Sequence, residues 1–166
     1  MSAKNKLVLN WVIFIVGLDQ ATKFVVDQTL PLSVPIPVID DFFNLTYVRN
    51  PGAAFGILAE SGEFFRRAFL IGFPLVAVGF IAAMLRRLAE DETWLITALS
   101  FVLGGAVGNL IDRIFYGEVI DFLDFYWSIY HWPAFNVADS FISVGVVMIV
   151  YSLIDAKGQD PFASRS

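Results

Sequence analysis

The chain has 166 residues, of which 57% are hydrophobic and 16% charged, and its net charge is −5. Soluble domains are typically about 45–50% apolar, so this composition indicates a protein that resides in lipid. The excess of acids, without a cluster of Lys or Arg, argues against nucleic acid as a partner. Because there is no cysteine and only one histidine, thiolate chemistry and His-rich metal sites are excluded. We expect no cofactor.

Four stretches are long and apolar enough to cross a bilayer core, which needs roughly 20 helical residues. They cover residues 7–27, 65–86, 94–114 and 137–155. A buried soluble bundle is the alternative, but too little polar surface remains to coat one. The first stretch has the basic start and apolar centre of a signal peptide without a small-residue cleavage site after it. We interpret it as a retained signal-anchor helix.

The distribution of basic residues predicts the orientation of these spans. Basic residues precede the first span, connect the second to the third and follow the fourth: Lys4, Lys6, Arg86, Arg87, Lys157 and Arg165. By the positive-inside rule, these segments and both termini are cytoplasmic. Four basic residues on the opposite side weaken the bias: Arg49, Arg66, Arg67 and Arg113.

Two loops, residues 28–64 and 115–136, then face outward. The first begins with a segment that contains Pro31, Pro35 and Pro37, which exclude helix there, and continues with the β-favouring stretch FFNLTYV. The second is rich in Phe, Tyr and Trp, which suits an aromatic belt at the headgroup layer. We therefore predict a mostly α integral membrane protein with one domain over residues 1–166. It is a four-transmembrane-helix bundle with a small extracytoplasmic β-platform in the first outward loop.

Polar residues gather near the outer ends of the spans, where ionisable groups at membrane depth indicate function. The spacing Asn-x-x-Asp occurs twice, as Asn109–Asp112 at the end of the third span and Asn136–Asp139 at the start of the fourth. The loop between them adds Asp121. Because the two spans are antiparallel neighbours, both motifs lie at one depth. Several carboxylates and amides can then meet in one pocket.

Each of these residues also has a purely structural interpretation. Asp19 and Lys23 are four apart and can form an intrahelical ion pair, and Asn136 with Asp139 has the spacing of a capping box. We expect Arg113 to pair with Asp112, which would offset the unfavourable position of a carboxylate at the negative end of the helix dipole. The remaining candidates are interpreted as a helix-packing notch, two solvated acids and an interfacial side chain: Gly104 with Gly108, Glu118 with Asp124, and His131.

Three kinds of chemistry fit such a pocket. Two neighbouring carboxylates cannot both ionise comfortably, so one pKa rises and the pair holds one proton, as in aspartic peptide hydrolysis. Alternatively, Asp121, Asp124 and Asp139 could hold Mg²⁺, which prefers oxygen ligands. In a third alternative, Asp19 and Lys23 would relay protons in a transporter or channel. Spacing alone leaves all three open.

The sequence resembles the lipoprotein signal peptidases, also called signal peptidase II. Five blocks match the signatures of that family in order and cover essentially the whole chain: DQATK (19–23), NPGAAF (50–55), GGAVGNLIDR (104–113), VIDF (119–122) and FNVADS (135–140). The resemblance implies an aspartic peptidase of the bacterial inner membrane. It would cut signal peptides from diacylglyceryl-modified prolipoproteins just before the lipidated cysteine.

The resemblance also implies roles for individual residues. Asp121 and Asp139 would be the catalytic pair. Residues that order the pocket or bind substrate and inhibitor would be Asp19, Lys23, Asn50, Gly52, Gly108, Asn109, Asp112, Arg113, Asn136 and Ala138. Membrane lipids and globomycin-type peptide inhibitors are the other expected partners, and we expect a monomer.

Overall fold

The computed structural model describes residues 1–52 and 62–158. Its elements in chain order are α1 (Ala3–Thr29), β1 (Ile36–Ile39), β2 (Phe43–Asn50), α2 (Glu63–Arg87), α3 (Thr93–Phe115), β3 (Val119–Trp127), β4 (Tyr130–His131) and α4 (Val137–Gly158). All four helices are long and apolar enough to cross a membrane. Each predicted span falls within one of them, and the chain is a multi-pass membrane protein.

Helix α3 is the centre of the bundle and packs against the other three helices. Its glycines allow this close approach. A Cβ atom on Gly104 would lie 3.0 Å from the Cβ of Ile15, and one on Gly108 would lie 2.7 Å from Oδ2 of Asp19. The predicted packing notch is therefore confirmed, and at Gly108 the space it leaves is filled by a carboxylate rather than by an apolar side chain.

The sheet is antiparallel and has the order β1-β2-β3-β4. The β-platform predicted in the first outward loop is present as β1 and β2. Strands β3 and β4, however, come from the second outward loop, where the sequence indicated only an aromatic belt. Phe43 pairs with Phe125 and Asn50 with Val119, so both loops form one layer. Val26 of α1 packs into the cluster below this layer, which joins the sheet to the bundle.

The segment that precedes α4 is also fastened to β3. The backbone N–H groups of Phe122 and Leu123 donate to the carbonyl of Phe135 over 3.0 and 2.9 Å, and the N–H of Phe135 donates back to Leu123 over 3.1 Å. As a result, the first turn of α4 begins beside the strand that carries Asp121.

Candidate active site

Asp121 and Asp139 line the same cavity, which has a volume of about 990 Å³. Asp121 lies on β3 and Asp139 lies in the first turn of α4. The backbone hydrogen bonds between Phe135 and β3 therefore bring together two acids from different elements. Asn50, Asn109 and Arg113 line the cavity as well. Residues predicted from four separate sequence blocks therefore meet at the end of the bundle that carries the sheet.

Asn136 joins the two acids. Its Nδ2 donates to Oδ1 of Asp121 over 2.7 Å, and its Oδ1 accepts the N–H of Asp139 over 3.0 Å. The Asp139 carboxylate in turn accepts the N–H of Asn136 over 3.3 Å, which completes a capping box. Since Asn136 is fully buried, this box is both the start of α4 and the link between the carboxylates.

Two further amides hold the outer sides of the acids. Nδ2 of Asn109 donates to Oδ1 of Asp139 over 2.7 Å, and Nδ2 of Asn50 donates to Oδ2 of Asp121 over 3.0 Å. Asn50 is oriented by Gly52, whose N–H donates to the Asn50 side-chain oxygen over 3.0 Å. Each carboxylate therefore has a fixed orientation before any substrate binds.

A buried ionic network lies behind the amides. Nζ of Lys23 is 2.8 Å from a carboxylate oxygen of Asp19, 2.8 Å from one of Asp112, and 3.0 Å from Oδ1 of Asn109. The predicted Asp19–Lys23 pair is confirmed, but the ammonium group also uses its other donors. Because Oδ1 of Asn109 is occupied by Lys23, the Nδ2 group of that amide is directed to Asp139.

The network also reaches α4. Oδ1 of Asp19 accepts the N–H of Ala138 over 2.9 Å, and Gly108 leaves room for this carboxylate between the helices. Gln20, which the sequence did not single out, donates to Oδ1 of Asp112 over 2.9 Å. Its polar side chain inside an apolar span, next to Asp19, was the signal that could have identified it.

The predicted Arg113–Asp112 pair is wrong. Asp112 is paired with Lys23, and its Oδ2 also accepts the N–H of Ile120 over 3.3 Å. Adjacent residues on a helix do not face each other, so Asp112 points towards α1 while Arg113 points into the cavity. Asp112 itself, and not Arg113, therefore ties α3 to the strand that presents Asp121. Nε of Arg113 is buried and has no hydrogen-bond partner among residues 1–52 and 62–158.

Burial and the nearby charge of Asp139 raise the pKa of Asp121 to about 7, although hydrogen bonds from Asn50 and Asn136 oppose the shift. Desolvation penalises the charged form, and a like charge penalises it further. Near neutral pH the acid pair therefore holds one proton. This is the protonation state in which one carboxyl group can donate a hydrogen bond while the other accepts a proton.

Asp124 is not a solvated loop acid, contrary to the prediction. It is buried, accepts a hydrogen bond from Nδ2 of Asn44 over 2.9 Å, and lies 2.8 Å from Nδ1 of His131. Residues three apart on a strand point to opposite faces, so Asp124 faces away from the acid pair. The three acids of the Mg²⁺ alternative are not brought together. Within residues 1–52 and 62–158, no three acidic, His or Cys side chains could hold a metal ion.

Four spanning helices and a sheet that bring two carboxylates into one cavity define a multi-pass membrane enzyme. A bacterial membrane enzyme solved by the in meso method at 2.3 Å resolution has the same fold, with a TM-score of 0.82, 32% sequence identity and coverage of 93% of this chain and 92% of that one. Residues 11–155 match the family model described as signal peptidase (SPase) II. The chain belongs to the signal peptidase II family and is a peptidase of that family.

Curated relatives agree with this assignment. The lipoprotein signal peptidase of Geobacter sulfurreducens is 53% identical over 137 residues, which are 82% of this chain and 84% of the relative. That of Syntrophus aciditrophicus is 51% identical over 140 residues, covering 84% and 87% of the two chains.

Proposed function

We propose that this peptidase is of the aspartic type and uses Asp121 and Asp139 to remove signal peptides from diacylglyceryl-modified bacterial prolipoproteins, cutting before the lipidated cysteine. One observation carries the proposal: the two carboxylates line one cavity and are joined through Asn136. The names of the curated relatives support the substrate class.

In this mechanism the ionised carboxylate takes a proton from a water molecule, whose oxygen attacks the scissile carbonyl carbon. The protonated carboxyl group donates a hydrogen bond to the carbonyl oxygen. The tetrahedral intermediate then collapses as the C–N bond breaks and the nitrogen of the leaving amine takes up a proton. General acid–base catalysis of this kind contributes typically 10²–10⁴-fold. The products are a free carboxyl group on the signal peptide and a free amino group on the lipidated cysteine.

The remaining predicted site residues divide by position. Asn50, Asn109 and Arg113 line the cavity and are placed to contact substrate or a globomycin-type inhibitor. The others position these residues from behind: Asp19, Lys23, Gly52, Gly108, Asp112, Asn136 and Ala138. Because a lipidated substrate arrives sideways through the bilayer, the cut must occur near headgroup depth. We place the enzyme in the inner membrane as a monomer, with both termini in the cytoplasm and the cavity near the periplasmic surface.

The test is to replace Asp121 and Asp139 separately with Asn and to measure cleavage of a lipidated precursor by the purified protein. Each variant should lose about 10²–10⁴-fold in rate, since the amide cannot exchange the proton. Asp124→Asn is the matched control, because it alters a buried acid on the same strand but on the other face. Full activity in Asp121→Asn or Asp139→Asn, with thermal unfolding showing a folded protein, would refute the assignment. Activity that persists after thorough chelation would exclude a metal-dependent reaction.

A further inference from the structure

A second cavity, of about 650 Å³, lies at the far end of β3 from α3. Every residue that lines it carries an aromatic or imidazole ring except Asp41. It shares only Trp132 with the cavity of the acid pair. We refer to it as the aromatic cavity, and the peptidase reaction proposed above does not use it.

The walls of the aromatic cavity are held in place by contacts between strands. The Tyr126 ring stacks on His131 with the centroids 5.0 Å apart, and Phe42 packs edge-on against Phe125 at 5.4 Å. The Tyr126 hydroxyl accepts the N–H of Asp41 over 2.9 Å. This bond fixes the β1–β2 turn, so the acid is held at the edge of a preformed aromatic surface.

Charge in this region is negative. The Asp41 carboxylate has no hydrogen bond or ion pair within the described part of the chain, and exposed Asp40 precedes it in the same turn. No Lys or Arg is among the residues that line the cavity. Aromatic faces attract cations through the ring quadrupole, and a nearby carboxylate strengthens that attraction. The cavity therefore has the chemistry of a binding site for an organic ammonium group.

The hairpin of β3 and β4 forms one wall of the aromatic cavity and exposes large apolar side chains, as a membrane-contacting surface does. Trp127, Ile129 and Tyr130 are 83%, 80% and 77% exposed, and Trp and Tyr side chains concentrate at the membrane–water interface. We propose that the aromatic cavity binds the ammonium headgroup of an aminophospholipid in the leaflet that the sheet faces. The bound lipid fixes the height of the sheet above the bilayer.

The experiment compares short-chain phosphatidylethanolamine with phosphatidylglycerol, which has no ammonium group. Each lipid is titrated into the purified full-length protein in detergent, and binding is followed by tryptophan fluorescence. We expect phosphatidylethanolamine to bind at least about fivefold more tightly. Asp41→Asn should abolish this preference, and Tyr130→Leu should weaken it about two- to fivefold, the scale of a partly exposed cation–π contact. Asn tolerates the positive φ of 58° at this position as well as Asp does.

Asp91→Asn is the matched control, because Asp91 is an exposed acid in the turn between α2 and α3 and does not line the cavity. Equal affinity for the two lipids, or equal losses in the Asp41 and Asp91 variants, would overturn the proposal. A lysine peptide that binds in an Asp41-dependent way, without any preference for phosphatidylethanolamine, would overturn it in favour of a protein ligand. Because these measurements report lipid binding alone, they are independent of the peptidase assignment.

Discussion

The two faces of β3 carry the same chemical group in different surroundings. Asp121 and Asp124 are both buried, and each accepts a hydrogen bond from an asparagine amide. Burial and the charge of a second carboxylate, Asp139, raise the pKa of Asp121, whereas Asp124 lies 2.8 Å from Nδ1 of His131. Burial alone therefore does not define the candidate catalytic acid. The two acids differ in the neighbouring group: the charge of Asp139 disfavours a charge on Asp121, whereas the ring nitrogen of His131 forms a hydrogen bond with Asp124.

The largest expected effect comes from removing the side chain that pairs with the buried acids on each side of the sheet, which is Lys23 behind the acid pair and His131 beside Asp124. Lys23→Met leaves Asp19 and Asp112 buried without their counter-charge and should lower the free energy of unfolding by about 3–5 kcal/mol. The His131 side chain is 52% exposed, so His131→Leu should lower the free energy by at most about 1 kcal/mol. Unfolding in detergent, followed by circular dichroism, measures both. Equal losses of unfolding free energy in the Lys23 and His131 variants would mean that the two sides of the sheet do not differ in this way.

The asparagines that hold the two acids form a second matched pair. Asn136→Ala removes a 2.7 Å bond to Asp121, and Asn44→Ala removes a 2.9 Å bond to Asp124. Hydrogen bonds to charged groups are worth roughly 1.5–3 kcal/mol, so Asn136→Ala should lower kcat/KM about 10- to 100-fold. Asn44→Ala should stay within about threefold per folded molecule. Thermal melting of each variant measures the amount of folded protein. Similar losses of activity in the Asn136 and Asn44 variants would contradict the distinction between the two acids.

The smallest effect expected is a pH dependence. Since the pKa of Asp121 is raised to about 7, the pair loses its shared proton as the pH rises through that value. The ratio kcat/KM should therefore fall above pH 7, approaching tenfold per pH unit. Asp124→Asn should leave this fall of kcat/KM above pH 7 unchanged. In Asp139→Asn, infrared titration of the Asp121 carboxyl group should show ionisation at lower pH, because the like charge has gone. An unchanged titration would exclude coupling of the two acids.

Sequence patterns that extend over many residues are sufficient to predict the helix bundle and the position of the candidate site. Four apolar runs predict four helices, and antiparallel neighbours place Asn109 and Asn136 at one depth. The Asn136–Asp139 spacing is informative twice, because the side chain of Asn136 takes part both in the capping box and in the link between the acids. A structural interpretation and a functional one were therefore not alternatives at this position.

Contacts that depend on the direction in which a side chain points could not be predicted from these patterns. In VIDFLDF the two acids interrupt the alternation that marks a strand, so the pattern does not predict β3 and places Asp124 in a loop. Arg113 was paired with its sequence neighbour, although neighbours on a helix diverge. Arg49, which weakened the orientation signal, has its charge paired with Asp27 over 3.0 Å. In each case the partner lies on another element, and only the fold shows it.

The bond between Asp19 and the N–H of Ala138 joins residues 119 positions apart. Asp19 and Lys23 are paired within one helix, so these two charges can enter the bilayer as a neutral pair while the rest of the polypeptide is still being synthesised. The contact with Ala138 requires the last span to be in place. Under the proposed assignment, hydrolysis requires the last span to be in place, because that span also carries Asp139.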